Sequence, residues 1–441
     1  MTAIAAWLLL SGAPAAAGEF PYPVAQQTLD NGLRLYVVSM PSTGVVAYGT
    51  WMSVGSRDEV DLGRTGFAHF FEHLMFHGTP TVPAAARDRE ILRLGADDNA
   101  WTWLDETVYH AMLPSASLPR FVELESDRFA HLALTPEGVK REAGAVYGEY
   151  RKNSADPGSV LSVALGKAAF GAHTYGHDTI GLEADIAAMP TGHEAALAFF
   201  DRFYRPDHAA VLVVGDVDPA STFALLTAAY GGWARSSAPP PPVPVEPPQT
   251  AIRRVNVDWP TPATAQIAFG WKIPAFHATD PTAARLALAG DLLLASTGPL
   301  ERRLVREEGL AYAVYGGPDE TVDPGLFRIT VEARSTADLP RIEAVIREEL
   351  ARLGQAVDPA VLDATRAHRR YAFLASLDDP LTVLHVLGDS LRRDPDPAAL
   401  DAYRAAIASA AADEVAAAIR DTFVDARLTV ATLTPPPEQT P

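Results

Sequence analysis

The sequence predicts an α+β protein made of two similar halves, each a sandwich of helices on an antiparallel-rich sheet. Three observations lead there. Between Ala238 and Pro248, seven of eleven residues are proline, a composition that favours extended polyproline geometry and makes a semi-rigid spacer. On either side of it the same order recurs, with two strand-like runs, a helix, then hairpin-like strands and Ala-rich helices. Strands and helices mix without strict alternation inside each half, which argues for an α+β sandwich. The expected divisions are a leader at 1–17, a first half at 18–237, the Pro-rich linker at 238–249, a second half at 250–435 and a tail at 436–441.

The leader holds an apolar run from Ala3 to Leu10 and ends in Ala15-x-Ala17 before Gly18, a pattern similar to a signal-peptidase site. The run is too short to cross a bilayer, which takes about 20 residues. Its start has no Lys or Arg, which departs from the usual leader. Export to a periplasmic or extracellular location is the expectation, and no later segment reads as a membrane span.

In the first half, Gly32–Val38 and Val46–Met52 read as strands. A helix then starts near Gly66, with Thr65 as its expected N-cap and Gly78 as its stop. It carries His69-Phe70-Phe71-Glu72-His73. At 100° per residue, Phe67, Phe70, Phe71 and Leu74 share one side, while His69, Glu72, His73 and Phe76 share the other. Residues i and i+4 lie one turn apart, so both imidazoles can reach one zinc ion at about 2.0–2.1 Å. Glu72 shares their face, cannot easily ligate the same ion, and is free to act as a base. The order His-x-x-Glu-His is that of the inverted zinc peptidases.

A catalytic zinc site needs a third protein ligand. A second helix begins at Thr135-Pro136, an N-cap followed by proline at the first helical position. Its Glu142 and Glu149 lie two turns apart on one face. Either can ligate and the other can orient a ligand. Spacing alone also allows an ordinary solvated face.

In the second half, Ile252–Val257 and Thr264–Lys272 read as strands. They precede a helix through Ala283–Leu294 that has Ala, Gly and Leu where the first half has His and Glu. The second half is therefore expected to be catalytically silent by itself. Asp413–Thr422 reads as one of its Ala-rich helices.

Composition narrows the classes. The 441 residues are 48% apolar, which is globular, and the net charge of −19 disfavours nucleic acid as a partner. Cysteine is absent, so thiol chemistry is excluded and any metal must sit on His and carboxylates.

The chain resembles the insulinase/pitrilysin family of zinc peptidases, which includes the mitochondrial processing peptidase. Gly55-Ser-Arg-Asp-Glu59, Gly66–Thr79, Asn99–Thr102 with Thr107–Tyr109, Tyr175-Gly176, Ile180-Gly181, Tyr204–Pro206 and Val214–Asp218 carry the likeness, which covers nearly the whole chain after the leader. The resemblance implies that Glu149, 76 residues after His73, is the third ligand and that Glu142 supports the site. It implies that Asn99 and Ala100 lie on a strand that binds substrate. It also implies that Tyr312 reaches the substrate, paired with an arginine seven residues earlier. That position is Val305 here, with Arg302, Arg303 and Arg306 nearby.

The expected function is a Zn2+-dependent endopeptidase cutting extended peptides or unfolded segments. His69, His73 and Glu149 would hold the metal, with Glu72 as general base and Tyr312 as a donor to the oxyanion. A homodimer, or a heterodimer with a related chain, is the expected assembly. The rival readings are a subunit of a heteromeric peptidase, and an assembly or metal-binding protein without turnover. The other ten histidines, His77 among them, are read as surface or core residues.

Overall fold

The computed structural model describes residues 18–40, 44–235 and 239–436. The leader, Ala238 at the head of the linker and the tail beyond residue 436 lie outside the described residues. Among those described, no helix is long and apolar enough to cross a membrane.

The first sheet contains β1 (Val24–Thr28), β2 (Arg34–Ser39), β3 (Val45–Met52), β4 (Asp97–Thr102), β5 (Thr107–Pro114) and β6 (Ala209–Gly215), in the order β1-β2-β6-β3-β5-β4. The second contains β7 (Arg253–Asp258), β8 (Gln266–Lys272), β9 (Ala311–Pro318), β10 (Leu326–Ala333) and β11 (Leu428–Thr434), in the order β7-β11-β8-β10-β9. With β1 set aside, the two orders match strand for strand. In both, the last strand inserts beside the first with parallel pairing while the other neighbours are antiparallel. The repeat expected from the sequence is thus a repeat of topology. Strands β4 and β9 are each an edge strand of their sheet, with β1 and β7 at the opposite edges.

Each sheet buries one face under helices of its own half. Phe70, Phe71, Phe121 and Phe129 are among the side chains filling the first core, and Phe269, Trp271, Phe327 and Ile346 among those filling the second. The other face is covered by a helix from the opposite half. Leu161, Leu165 and Ala169 of the first-half helix Pro157–Ala169 pack on Ala268, Leu326, Ala431 and Leu433. In return Val383, Leu384, Leu387 and Leu391 of the second-half helix Pro380–Arg393 pack on Tyr36, Val38, Trp51 and Leu212. A Cβ on Gly388 would stand 2.1 Å from the Trp51 ring, so glycine is what lets this helix lie so close.

This exchange decides how the halves are held. Each buried leucine contributes about 1.5–3 kcal/mol by leaving water, against a net stability of about 5–15 kcal/mol for a typical domain. Arg392 adds a buried contact, with its guanidinium 3.1 Å from Asp105 and 2.9 Å from Glu106. The linker is pinned as well: the Glu246 carboxylate accepts the backbone N–H groups of Gly171, Ala172 and His173 at 3.0, 2.8 and 3.1 Å. The halves are clasped, not merely tethered.

Candidate metal centre

The histidine helix spans Phe67–Leu74 and buries Phe67, Ala68, Phe70, Phe71 and Leu74 against the first sheet. His69, Glu72 and His73 lie on the opposite side and are only partly buried. A single 3-10 turn, Met75–His77, follows and ends at Gly78 in left-handed backbone (φ 82°). The N-terminus differs from expectation. The N-cap is Gly66 (φ 85°), and no side chain of its own caps the helix. The Thr65 hydroxyl instead donates to Asp185 at 2.7 Å and accepts the N–H of Leu182 at 2.7 Å. The capping acceptor is Glu59, whose two carboxylate oxygens take the N–H groups of Gly66 and Ala68 at 2.7 Å each. A carboxyl group from a preceding turn replaces a hydroxyl at the cap; burial pushes its pKa well up, and the Ala68 and Gly66 N–H groups pull the other way.

The glutamate helix spans Pro136–Asn153 and begins as its sequence predicts, with the Thr135 hydroxyl accepting the N–H of Gly138 at 3.0 Å. Val139, Ala143 and Val146 are buried, which turns Glu142 and Glu149 toward the histidine helix. Glu149 Oε2 lies 3.6 Å from His69 Nε2 and 3.6 Å from His73 Nε2. One ligand atom from each of His69, His73 and Glu149 falls within 4.8 Å of the others.

The donor set fits zinc. Tetrahedral coordination at about 2.0–2.1 Å per bond puts ligand atoms about 3.3–3.4 Å apart, close to the spacing present. Glu142 Oε1 sits 2.9 Å from His73 Nδ1. That contact places the proton on Nδ1 and leaves the Nε2 lone pair facing Glu149. His69 Nδ1 is buried without a hydrogen-bond partner among the described residues. Burial, then the neighbouring His73, pulls the His69 pKa down to about 4, so its imidazole is neutral and able to ligate at pH 7. Hydrogen bonds from His73 and then His77 hold the Glu142 carboxyl far below the usual carboxylate range. The reciprocal bond to Glu142 pushes His73 up.

Glu72 is the remaining carboxylate on this face. Burial raises its pKa, which brings it toward the range of a general base. The Thr102 hydroxyl donates to its Oε2 at 2.7 Å. Thr102 ends β4, so this edge strand of the sheet touches the helix at the base itself. Asn99 and Ala100 lie on the same strand, and the Asn99 side chain accepts the N–H of Ala100 at 2.8 Å.

Tyr312 stands apart from this cluster. It is on β9 of the second sheet, 56% exposed, with the Arg334 guanidinium 4.7 Å from its ring centre. Arg303 is engaged by Glu308, Glu348 and Glu349 at 2.9, 2.8 and 3.0 Å. Arg306 donates to the Ser296 carbonyl at 2.6 Å, and Arg302 lies 3.4 Å from Glu307. Each of these arginines is held by its own neighbourhood, while Arg334 is the cation beside the tyrosine.

Three residues at the site escaped sequence reasoning. His77 Nε2 lies 2.8 Å from Glu142 Oε2 and completes the brace on that carboxylate. Its signal was legible, because it follows His73 by the same four residues that separate His73 from His69. Thr102 and Glu59 lie in motifs that carry the resemblance, but their contacts gave no local signal, since their partners lie across a strand or beyond a loop.

Comparison with known proteins bears on what this site does. The family model described as Insulinase (Peptidase family M16) matches residues 34–182, and the model described as Peptidase M16 inactive domain matches residues 192–368. A protein named as an uncharacterized zinc protease in Streptomyces coelicolor is 27% identical over 407 residues, covering 90% of this chain and 87% of its own. The crystal structure of a protease from Helicobacter pylori superposes with a TM-score of 0.88 at 26% identity, covering 94% of this chain and all of that one. The periplasmic protease PqqL from Escherichia coli shares the fold (TM-score 0.78, 20% identity) over 95% of this chain but only 48% of its own.

Proposed function

The chain belongs to the insulinase family, peptidase family M16, and from that premise we propose that it is a zinc endopeptidase acting on extended peptides or unfolded segments. The observation that carries this reading is the convergence of His69, His73 and Glu149 on one point beside Glu72. Zinc, when bound there, supplies a Lewis acid that polarises the scissile carbonyl and makes water easier to deprotonate. The chain's own groups do the rest. Thr102 occupies Glu72 Oε2, which leaves Oε1 to take the proton of the attacking water and pass it to the leaving amine. Glu142 holds His73 in the tautomer a ligand needs, and His77 holds Glu142.

The peptide is proposed to add to the outer edge of β4 near Asn99 and Ala100, through main-chain hydrogen bonds that read little sequence. An edge strand has unpaired main-chain groups to offer, and β4 pairs with β5 alone. Tyr312 is the proposed donor to the developing oxyanion, with Arg334 as the cation beside it.

PqqL is about twice the length of this chain. Two chains of the present length would supply the same complement of halves, which supports a dimer, either of this chain or with a relative. Val305, where the resemblance expects arginine, favours a partner chain that brings its own substrate contacts. The leader pattern, together with the periplasmic location stated for PqqL, supports export.

The test is cleavage mapping on a mixed library of unstructured peptides, with metal content measured on the same sample. Internal cleavage that stops with a chelator and returns with zinc is the expected result. Stoichiometric zinc with no cleavage by the chain, alone or mixed with a related partner chain, would leave only the metal-binding reading.

A further inference from the structure

The histidine helix has eight residues and no capping side chain of its own; its buried face seats it on the sheet, and its N-terminus is held from outside. A ligand set tolerates errors of only about 0.5 Å. The second half, silent in the chemistry, reaches this helix through a chain of contacts. Building on the zinc-site reading above, we infer that Asp323 of the second half, acting through Arg57 and Glu59, is a positioning residue for His69 and His73.

The chain of contacts starts at the helix. Glu59 has no exposed side-chain surface, and its oxygens take the N–H groups of Gly66 and Ala68. A fully buried carboxylate is costly unless hydrogen-bonded, so this geometry is tightly determined. Glu59 ends a turn that starts at Gly55, where Asp58 N–H donates to the Gly55 carbonyl at 3.0 Å and Glu59 N–H to the Ser56 carbonyl at 3.3 Å.

That turn is gripped at Arg57 from three sides. Its N–H donates to the Leu104 carbonyl at 2.8 Å, and its carbonyl accepts the Thr174 hydroxyl at 2.6 Å. Its Nε donates to Asp323 Oδ2 at 2.6 Å. The first two anchors belong to the first half and the third to the second half.

Asp323 is itself well held. It lies in the turn between β9 and β10. His173 Nδ1 accepts the N–H of Tyr175 at 3.0 Å, so Nε2 carries the proton it donates to Asp323 at 3.0 Å. The Asp323 N–H donates to the Tyr175 hydroxyl at 3.3 Å, which donates in turn to Asp105. Asp105 also accepts the Val322 N–H at 3.0 Å. The β9–β10 turn is thus set into a polar socket of the first half, and the residue at its centre holds the turn that caps the histidine helix.

The experiment compares the full chain with Asp323→Ala, Asp323→Asn and Glu59→Ala. Three readouts are taken: zinc affinity by competition with a chromogenic chelator, kcat and KM on a cleaved peptide, and amide exchange of the zinc-free protein. Glu59→Ala is expected to weaken zinc about 10–100-fold, the range for groups that orient ligands. Asp323→Ala should lower kcat with KM little changed, and Asp323→Asn, which still accepts a hydrogen bond, should recover part of the loss. In the zinc-free protein, exchange should quicken at residues 66–74 and not across both sheets. Unchanged exchange at 66–74, or an increase spread evenly through both halves, would overturn the inference. Because exchange is read without metal, a parent chain that binds no zinc would defeat the zinc reading while leaving this one to stand or fall on its own.

Discussion

The histidine helix Phe67–Leu74 and the helix Pro281–Leu294 occupy the same place in their halves, each following the strand that pairs with the last-inserted one. They have been put to different uses. The first buries one stripe and keeps His69, Glu72 and His73 on the other. The second buries Ala284, Leu286, Ala287, Leu288, Ala289, Gly290, Leu292 and Leu293, so it is enclosed on most sides. Its two charged residues are neutralised structurally, Arg285 by Glu414 at 2.7 Å and Asp291 by Arg369 at 2.9 Å. The second helix after the hairpin differs in the same way. Pro136–Asn153 offers Glu142 and Glu149, whereas Pro359–Ser376 carries Arg366, His368, Arg369 and Arg370 and buries Leu362 alone. One scaffold can therefore present His and Glu side chains on a partly open face or enclose the equivalent helix, and a few residues on two helices decide which. A half that gives up chemistry can still contribute through its surface.

If the second half is a structural partner, breaking the clasp should cost more than disturbing any one brace at the metal centre. Arg392→Ala leaves Asp105 and Glu106 buried and short of a partner. A loss of about 3–5 kcal/mol is expected, read by denaturant unfolding. A change below about 0.5 kcal/mol would mean that the Arg392 ion pairs do not help to hold the halves. Next in size, Glu142→Gln should weaken zinc about 10–100-fold while the fold is kept, read by metal competition. The effect is confined to the first half, so the clasp should be untouched.

The smallest effect concerns pH. His110 on β5 and His385 on the helix Pro380–Arg393 meet across the clasp with ring centres 4.9 Å apart. Burial, and for His110 also the charge of His385, lowers both from 6.5, while Asp97, Asp98 and Asp379 push the other way more weakly. Both rings are therefore neutral in the folded state over a range where the unfolded chain is protonated. Their contribution is fully present above about pH 6.5 and is lost as pH falls toward the lowered values. The melting temperature should drop between pH 7.5 and 5.5, and the drop should shrink in a His110→Gln, His385→Gln double variant. An equal drop in both would place the pH sensitivity elsewhere.

Much of the fold was legible because it rests on local pattern. The strand runs, the Thr135-Pro136 start and the two-faced histidine helix follow from periodicity and capping rules, and the repeat of order anticipated the repeat of topology. The exchange of helices between halves was not legible. Pro157–Ala169 reads as a mostly apolar helix and Pro380–Arg393 as an amphipathic one, and nothing local says which sheet either covers. The cap failed for a related reason: Thr65 is the right residue type beside the helix, but its hydroxyl is taken up by Asp185 and Leu182, and the buried Glu59 side chain six residues upstream offers two acceptor oxygens to the N–H groups of Gly66 and Ala68. The ligand spacing was visible along one helix, whereas the Glu72–Thr102 contact depends on how a strand is laid beside it.

Glu72 is proposed to move the proton at a metal centre formed by His69, His73 and Glu149. The direct measurement is peptide cleavage by Glu72→Gln alongside its zinc content. About one zinc per chain is expected in both proteins, with a rate about 10²–10⁴-fold lower in the variant, the usual contribution of a general base. Cleavage near the parent rate by a fully zinc-loaded Glu72→Gln protein would contradict it.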